Sequence, residues 1–197
     1  LVLVNRFEES DVGKVDTVSS DNYQIGYDAT RYLIRTGHKQ IAIACGREEL
    51  LLYRERLRGY RKAMEDNGLP VREAFILHEA GGNNGFYYQV RDLVEQGSVP
   101  DAIFCTSDPK AFVVMHALHD LGLRMPEDVA VIGVDNVSMA SMVEPPLSTI
   151  SQHLHDMGVA AAKSLIRQIE YKDKYGELPK PQRTIMNSDL IVRRSTN

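Results

Sequence analysis

The feature that most constrains the fold of this chain is the alternation of short apolar runs with helical segments. The runs lie at residues 15–18, 41–45, 74–77, 102–105 and 129–134. Between them, apolar residues recur at helical spacing and a glycine follows most of the segments. A run of this kind is typical of a strand in a parallel sheet that is covered on both faces. The alternation therefore predicts βα units, joined by right-handed crossovers into doubly wound parallel sheets.

The composition is that of an ordinary soluble globular protein, with 197 residues, 43% hydrophobic and 25% charged. A net charge of −4 gives no basic excess, so these residues alone do not predict a nucleic-acid surface. Cys45 and Cys105 fall inside apolar runs, which indicates buried free thiols and a reducing, cytoplasmic location. We expect no membrane segment, because no apolar stretch approaches the ~20 residues that span a bilayer.

Two acids stand just after buried strands, where open α/β sheets bind their ligands. Asp135 follows the run that ends at Val134, and Asp108 follows the run that ends at Cys105. Right-handed crossovers bring such strand ends together, so both carboxylates could face one crevice. Asp108 also fits a structural role at a helix start, because Ser107 precedes it and Pro109 follows it.

Arg56 lies on the apolar side of its predicted helix. At 100° per residue it shares an arc with Leu57, Tyr60 and Met64. A buried arginine needs a polar partner, so Arg56 either pairs with a structural carboxylate or holds a ligand oxygen.

Asn5 and Arg6 follow the first strand and occupy another strand end. They are candidate ligand contacts, although a polar turn explains them equally well. The glycine-rich segment at 81–85 precedes a helix but lacks the spacing of a phosphate-binding motif, so a loop is predicted there. We expect no metal site, cofactor or catalytic residue, because the sequence offers no ligand spacing, nucleophile elbow or activated cysteine.

Several segments, taken together, resemble the effector-binding core of LacI/GalR-type bacterial transcription repressors. These are DN at 21–22, GH at 37–38, IAI at 41–43, RLRGY at 56–60, PDAIF at 100–104, SD at 107–108, PEDVAVIGVDN at 126–136, PPLSTI at 145–150 and LIVRRS at 190–195. The set covers nearly the whole chain.

The resemblance implies a two-lobed, periplasmic-binding-protein-like fold that binds a small molecule, commonly a sugar or a purine, between the lobes. The first lobe would hold residues 1–46 and 152–175, and the second would hold residues 47–151 and 176–197. The chain would cross between them three times. Leu1 stands inside a predicted strand, so we expect preceding residues and an incomplete first-lobe sheet. The family's helix-turn-helix headpiece is not in this sequence.

The resemblance also implies a set of ligand contacts, namely Asn5, Arg6, Arg56, Ser107, Asp108 and Asp135. Many family members have asparagine where this chain has Ser107, which leaves the ligand's identity open. The implied function is allosteric: a sugar or similar polyol would bind and alter operator binding, in a homodimer that contacts DNA only through the headpiece. The dimer surface could include Met139, Met142 and Val143, although these residues could equally pack in the core.

Two alternatives remain. A solute-binding protein of a transport system would share the fold and the cleft. An α/β enzyme would use Asp108 and Asp135 as an acid/base pair, although no nucleophile, metal set or cofactor loop accompanies them.

Overall fold

The computed structural model describes residues 1–79 and 85–197. Strands and helices alternate along the chain, and the strands form two separate sheets. The strands are β1 (Val2–Val4), β2 (Asp16–Ser20), β3 (Ile41–Cys45), β4 (Ile76–His78), β5 (Ala102–Cys105), β6 (Ala130–Val134), β7 (Ser148–Ser151), β8 (Arg183–Met186) and β9 (Asp189–Ile191). The helices are α1 (Asn22–Arg35), α2 (Leu51–Asp66), α3 (Gly85–Glu95), α4 (Asp108–Asp120) and α5 (Leu154–Tyr175).

The larger sheet has six strands in the order β4-β3-β5-β6-β7-β9. All of its pairings are parallel except the one between β7 and β9. Helices α1 and α2 cover one face, where Leu33 and Tyr60 join the core, and α3 and α4 cover the other, where Phe86 and Leu118 do so. Because both faces are covered, the central strands are apolar on both sides. This is the doubly wound arrangement that the alternating runs predict, and the predicted fold class is confirmed.

The smaller sheet has three parallel strands in the order β1-β2-β8, and α5 packs against β1 and β2. Asp16 ties these elements together, because its carboxylate accepts hydrogen bonds from Ser164, Arg167 and the Gln182 backbone. Burial pushes the pKa of Asp16 up, but these hydrogen bonds outweigh it and lower the pKa to about 2.

The chain passes between the two sheets three times, after β2, after β7 and after β8. The lobe boundaries expected from the sequence place two strands in one lobe, whereas hydrogen bonding places them in the sheet of the other. The boundary after residue 46 assigned β3 to the first lobe, but β3 pairs with β4 and β5 in the larger sheet. The range 176–197 assigned β8 to the second lobe, but β8 pairs with β2. The alternation predicts that strands exist, and hydrogen bonding between distant segments decides which sheet each one joins.

Helices α1 and α2 cross at very close range. A Cβ atom added to Gly26 would collide with the Arg56 carbonyl oxygen, and one added to Gly59 would collide with the Tyr23 carbonyl oxygen. Asp21 caps the start of α1 by accepting a hydrogen bond from Gln24 N at 3.0 Å. The crossing also fixes where Arg56 lies, because the Arg56 backbone is one of its contact points.

Both cysteines are free and buried, which confirms the expectation of unpaired thiols. Burial raises the pKa of the Cys45 thiol to about 12, so this side chain behaves as a small apolar group. Within the described ranges, no helix combines the length and apolar character needed to cross a membrane.

Candidate functional site

A cleft of roughly 240 Å³ lies between the two sheets, at the ends of strands from both of them. Its walls come from the segment after β1, the first half of α2, the start of α4 and the residue after β6. The lining residues are Asn5, Arg6, Leu52, Tyr53, Arg56, Ser107, Pro109, Lys110 and Asp135. Five of the six predicted ligand contacts therefore lie along one cavity. Their role as ligand contacts stays a prediction.

Asp135 stands one residue after β6, and its backbone φ is 122°. A non-glycine residue rarely adopts that conformation, so the surrounding structure holds this carboxylate in place. Its Oδ1 accepts a hydrogen bond from Gln152 Nε2 at 2.5 Å. Burial raises the pKa of Asp135, while the nearby Arg56 guanidinium acts in the opposite direction.

Arg56 is 1% exposed and points from α2 toward the space between the sheets. Its guanidinium donates to Asn22 Oδ1 at 2.9 Å, to the Thr106 carbonyl oxygen at 2.6 Å and to Gln152 Oε1 at 3.1 Å. All three acceptors are neutral, so the positive charge is buried beside oxygens that do not cancel it. Burial lowers the pKa of Arg56, and the electrostatic attraction of Asp135 works against this.

Gln152 joins Arg56 to Asp135. Its side chain is fully buried, accepts from the arginine with its oxygen and donates to the aspartate with its nitrogen. A cation, an amide and an anion thus form one hydrogen-bonded row at the base of the cleft. Such a row orients its members, because each loses a hydrogen bond if its neighbour turns away.

Asn5 and Arg6 form the opposite wall. The backbone of Asn5 has a φ of 59° and donates to the Val18 carbonyl oxygen at 2.8 Å. Asn5 Oδ1 is buried and has no hydrogen-bond partner among the residues that the structure describes. Arg6 reaches across the cleft and donates to Tyr53 Oη at 3.0 Å. This wall therefore offers an acceptor that lacks a donor, together with a cation.

Ser107 and Asp108 begin α4, and only Ser107 lines the cleft. The Asp108 carboxylate is fully buried and accepts from Thr149 Oγ1 at 2.7 Å and from Val137 N at 2.9 Å. Burial raises the pKa of Asp108 to about 6, although both hydrogen bonds oppose the rise. Asp108 thus joins the loop after β6 to β7, which is a structural role as the sequence also allowed, and it is absent from the lining of the cleft. A strand-end position gives the region of a side chain but not its direction.

Four side chains that shape the cleft were not predicted from the sequence as site residues, namely Asn22, Tyr53, Lys110 and Gln152. Gln152 follows β7 as Asp135 follows β6, so the strand-end rule would have found it if residues 148–151 had been predicted as a strand. Tyr53 lies one helical turn before Arg56, on the same face of α2. The glycine-rich segment at 81–85 lies outside the described residues, except for Gly85, which begins α3.

A second depression, of about 280 Å³, lies beside α1 and contains none of the predicted ligand contacts. Its lining includes Arg31, Arg35 and Leu190. Across residues 1–79 and 85–197, no group of three or more metal-ligating side chains is arranged to hold a metal ion.

Comparison with known proteins gives one consistent family. The model of the periplasmic binding protein-like domain matches residues 30–196. The chain is 35% identical over 181 residues to the HTH-type transcriptional repressor PurR of Actinobacillus pleuropneumoniae serotype 3 (strain JL03), covering 91% of this chain and 53% of that protein. It is 34% identical over 155 residues to catabolite control protein A of Priestia megaterium, covering 78% of this chain and 47% of that protein. The chain thus spans about half the length of these curated relatives.

A solved structure agrees with this comparison. The transcriptional regulator CelR in complex with cellobiose superposes with a TM-score of 0.88 at 32% identity, and the match covers 98% of this chain and 58% of that one.

Proposed function

The chain belongs to the periplasmic-binding-protein-like domains, in the form that serves as the effector-binding core of LacI/GalR-type transcription regulators, and we propose that it is a small-molecule sensor. The effector is a sugar or similar polyol that binds in the cleft between the two sheets. Its occupancy alters operator binding by a helix-turn-helix headpiece outside these residues. The relative that is solved with cellobiose supports the choice of a sugar.

The observation that carries the proposal is the row formed by Arg56, Gln152 and Asp135 beside Asn5 Oδ1, which has no partner in the part of the chain that the structure describes. A sugar hydroxyl both donates and accepts a hydrogen bond. It would therefore donate to Asp135 or Asn5 and accept from Arg56. A hydrogen bond to a charged group contributes about 1.5–3 kcal/mol, so a few of them give useful affinity.

Allosteric coupling follows from where these groups lie. Asn5 belongs to the wall formed by the smaller sheet, whereas Arg56 and Asp135 belong to the wall formed by the larger one. A ligand that contacts both walls stabilises one arrangement of the two halves over others. A typical coupling of ~1–3 kcal/mol would change operator affinity by roughly 5- to 150-fold.

The test is a thermal-shift screen of sugars and polyols, run in parallel on the wild-type chain, Asp135→Asn and Asp173→Asn. Asp173 is an exposed acid on α5, so its variant controls for the loss of one negative charge. We expect a sugar that stabilises the wild type and the control but binds Asp135→Asn at least about tenfold more weakly. An equal response from all three proteins would refute the proposal.

We further propose that the protein performs no covalent chemistry and works in the cytoplasm. The enzyme alternative needs Asp108 and Asp135 at one cavity, yet only Asp135 lines the cleft. The relatives are named as regulators of transcription or catabolite control.

A homodimer is part of the same proposal. Its support is the exposure of Met139 and Met142, at 56% and 80%, while Val143 packs against the core.

A further inference from the structure

At one end of the cleft, the cations Arg6 and Lys110 both contact the phenol oxygen of Tyr53. Arg6 Nη2 donates to Tyr53 Oη at 3.0 Å, and Lys110 Nζ donates to the same oxygen at 3.3 Å. Arg6 comes from the segment after β1 and Lys110 from the first turn of α4, so the two charges approach from opposite walls. Lys110 also lies 3.4 Å from Ser107 Oγ. The donors at this end therefore converge on one small region.

The charges along the cleft do not balance. Among the described residues, its lining holds the cations Arg6, Arg56 and Lys110 and one acid, Asp135. Glu79 lies 3.4 Å from Lys110 Nζ and offsets part of that charge. Even when Glu79 is counted, three cations face two anions. The surplus lies at the Tyr53 end, because Asp135 and Gln152 occupy the end nearest Arg56.

A purely structural explanation of this cluster is incomplete. The Tyr53 ring attracts both cations, with Lys110 Nζ 4.5 Å and Arg6 Cζ 6.0 Å from its centroid. Glu79 reduces the mutual repulsion of the two cations but does not remove it, since the neutral ring and the phenol oxygen cancel no charge and one positive charge stays unmatched at this end. An anion between them would remove that repulsion and accept hydrogen bonds from both.

We propose that the effector carries an anionic group, a phosphate or a carboxylate, which binds at this end of the cleft to Arg6, Lys110 and Ser107. This inference rests on the proposed function, because it assigns the remaining hydroxyls of the effector to Asp135, Arg56 and Asn5. The effector class becomes a sugar phosphate or a sugar acid. Arginine suits such a group because its planar guanidinium matches two oxygens, while lysine acts as a point charge. An anion held by Arg6 and Lys110 would also draw the two walls together.

The first experiment uses inorganic phosphate as the probe, because it requires no knowledge of the sugar. Binding is measured by calorimetry on the full chain, on the double variant Arg6→Gln with Lys110→Gln, and on Asp135→Asn. Lys14→Gln serves as the control, since Lys14 is exposed and its loss changes the net charge in the same sense. We expect saturable phosphate binding that weakens by about tenfold or more in the double variant only. No phosphate binding, or binding that is equal in all the proteins, overturns the inference.

The second experiment compares D-glucose, D-glucose 6-phosphate and D-glucuronate, and so distinguishes a phosphate from a carboxylate. We expect one of the two anionic sugars to bind about tenfold or more tightly than glucose, and this advantage to disappear in the double variant. If glucose binds as tightly as both anionic sugars and Asp135→Asn weakens all three, the sensor function stands and the anion site is refuted. If an anionic sugar needs Arg6 and Lys110 but not Asp135, the anion site stands and the proposed polyol contacts are refuted.

Discussion

The Gln152 side chain donates a hydrogen bond from Nε2 to Asp135 Oδ1 at 2.5 Å. Gln152 lies in the passage between β7 and α5, where the chain leaves the larger sheet for the smaller one. The acid at the base of the cleft is therefore bonded directly to a connection between the two halves. A ligand that competes for Asp135 would act on that connection without any intermediate residue.

Replacing Gln152 with methionine tests how much this row contributes to the fold. Methionine has a similar length but leaves Arg56 Nη2 and Asp135 Oδ1 without the partner that each has now. Because Arg56 is buried and Asp135 is half-buried, we expect the free energy of unfolding to fall by about 2–4 kcal/mol. Urea unfolding at neutral pH measures this, with Gln96→Met at an exposed helix end as the control. A loss no greater than that of the control would mean that the row is not stabilising.

The close crossing of α1 and α2 gives a second prediction. In Gly59→Ala, the new methyl group would collide with the Tyr23 carbonyl oxygen and lie 2.6 Å from Tyr27 N, so the helices must move apart. We expect the free energy of unfolding to fall by about 3 kcal/mol. In Gly158→Ala the added methyl group meets nothing within 4 Å on α5, and the change should stabilise the protein by about 0.5–1 kcal/mol. Thermal unfolding of the two variants should therefore shift in opposite directions.

Asp108 predicts a specific dependence of stability on pH. Its pKa is about 6 in the folded protein, against an ordinary value of about 3.9 in the unfolded chain. The folded state therefore holds the proton more tightly, and the resulting stability is complete below about pH 3.9 and lost as the pH rises through 6. A shift of this size corresponds to about 3 kcal/mol as an order of magnitude.

The measurement is urea unfolding of the wild type and Asp108→Asn between pH 4 and pH 7. The asparagine does not titrate, so its stability should fall less with rising pH than that of the wild type. Asp135 contributes with the same sign in both proteins, because burial raises its pKa as well. The difference between the two curves therefore isolates Asp108. Parallel curves would contradict the raised pKa.

The fold class could be predicted from the sequence because buried parallel strands are nearly continuous apolar runs. β3, β5 and β6 are of this kind, and all of their residues are buried. β7 escaped prediction because three of its four residues are serine or threonine. These residues are satisfied by groups far along the chain, as Ser148 is by Ser195 and Thr149 is by Asp108. The local pattern of apolar and polar residues does not reveal such distant hydrogen-bond partners.

The candidate site could be predicted only in part for the same reason. Asp135 was found because an apolar run ends immediately before it, and Arg56 was found because it interrupts an apolar helix face. Gln152 gave no such signal because β7 is not an apolar run, and Lys110 gave none because it lies inside α4 and not directly at the strand end. The direction of the Asp108 side chain depends on Val137 and Thr149, which lie 29 and 41 residues further along the chain.

The three passages between the sheets lie side by side. Ser20 pairs with Met186 at the end of the smaller sheet, and Ser151 pairs with Asp189 at the start of the larger one. Each of these pairs lies within one sheet, so a relative motion of the two halves deforms the three neighbouring connections and leaves the pairs intact. We therefore expect the two halves to move by rotation about one hinge at these three connections. The angle of that rotation is the quantity that a bound ligand would set.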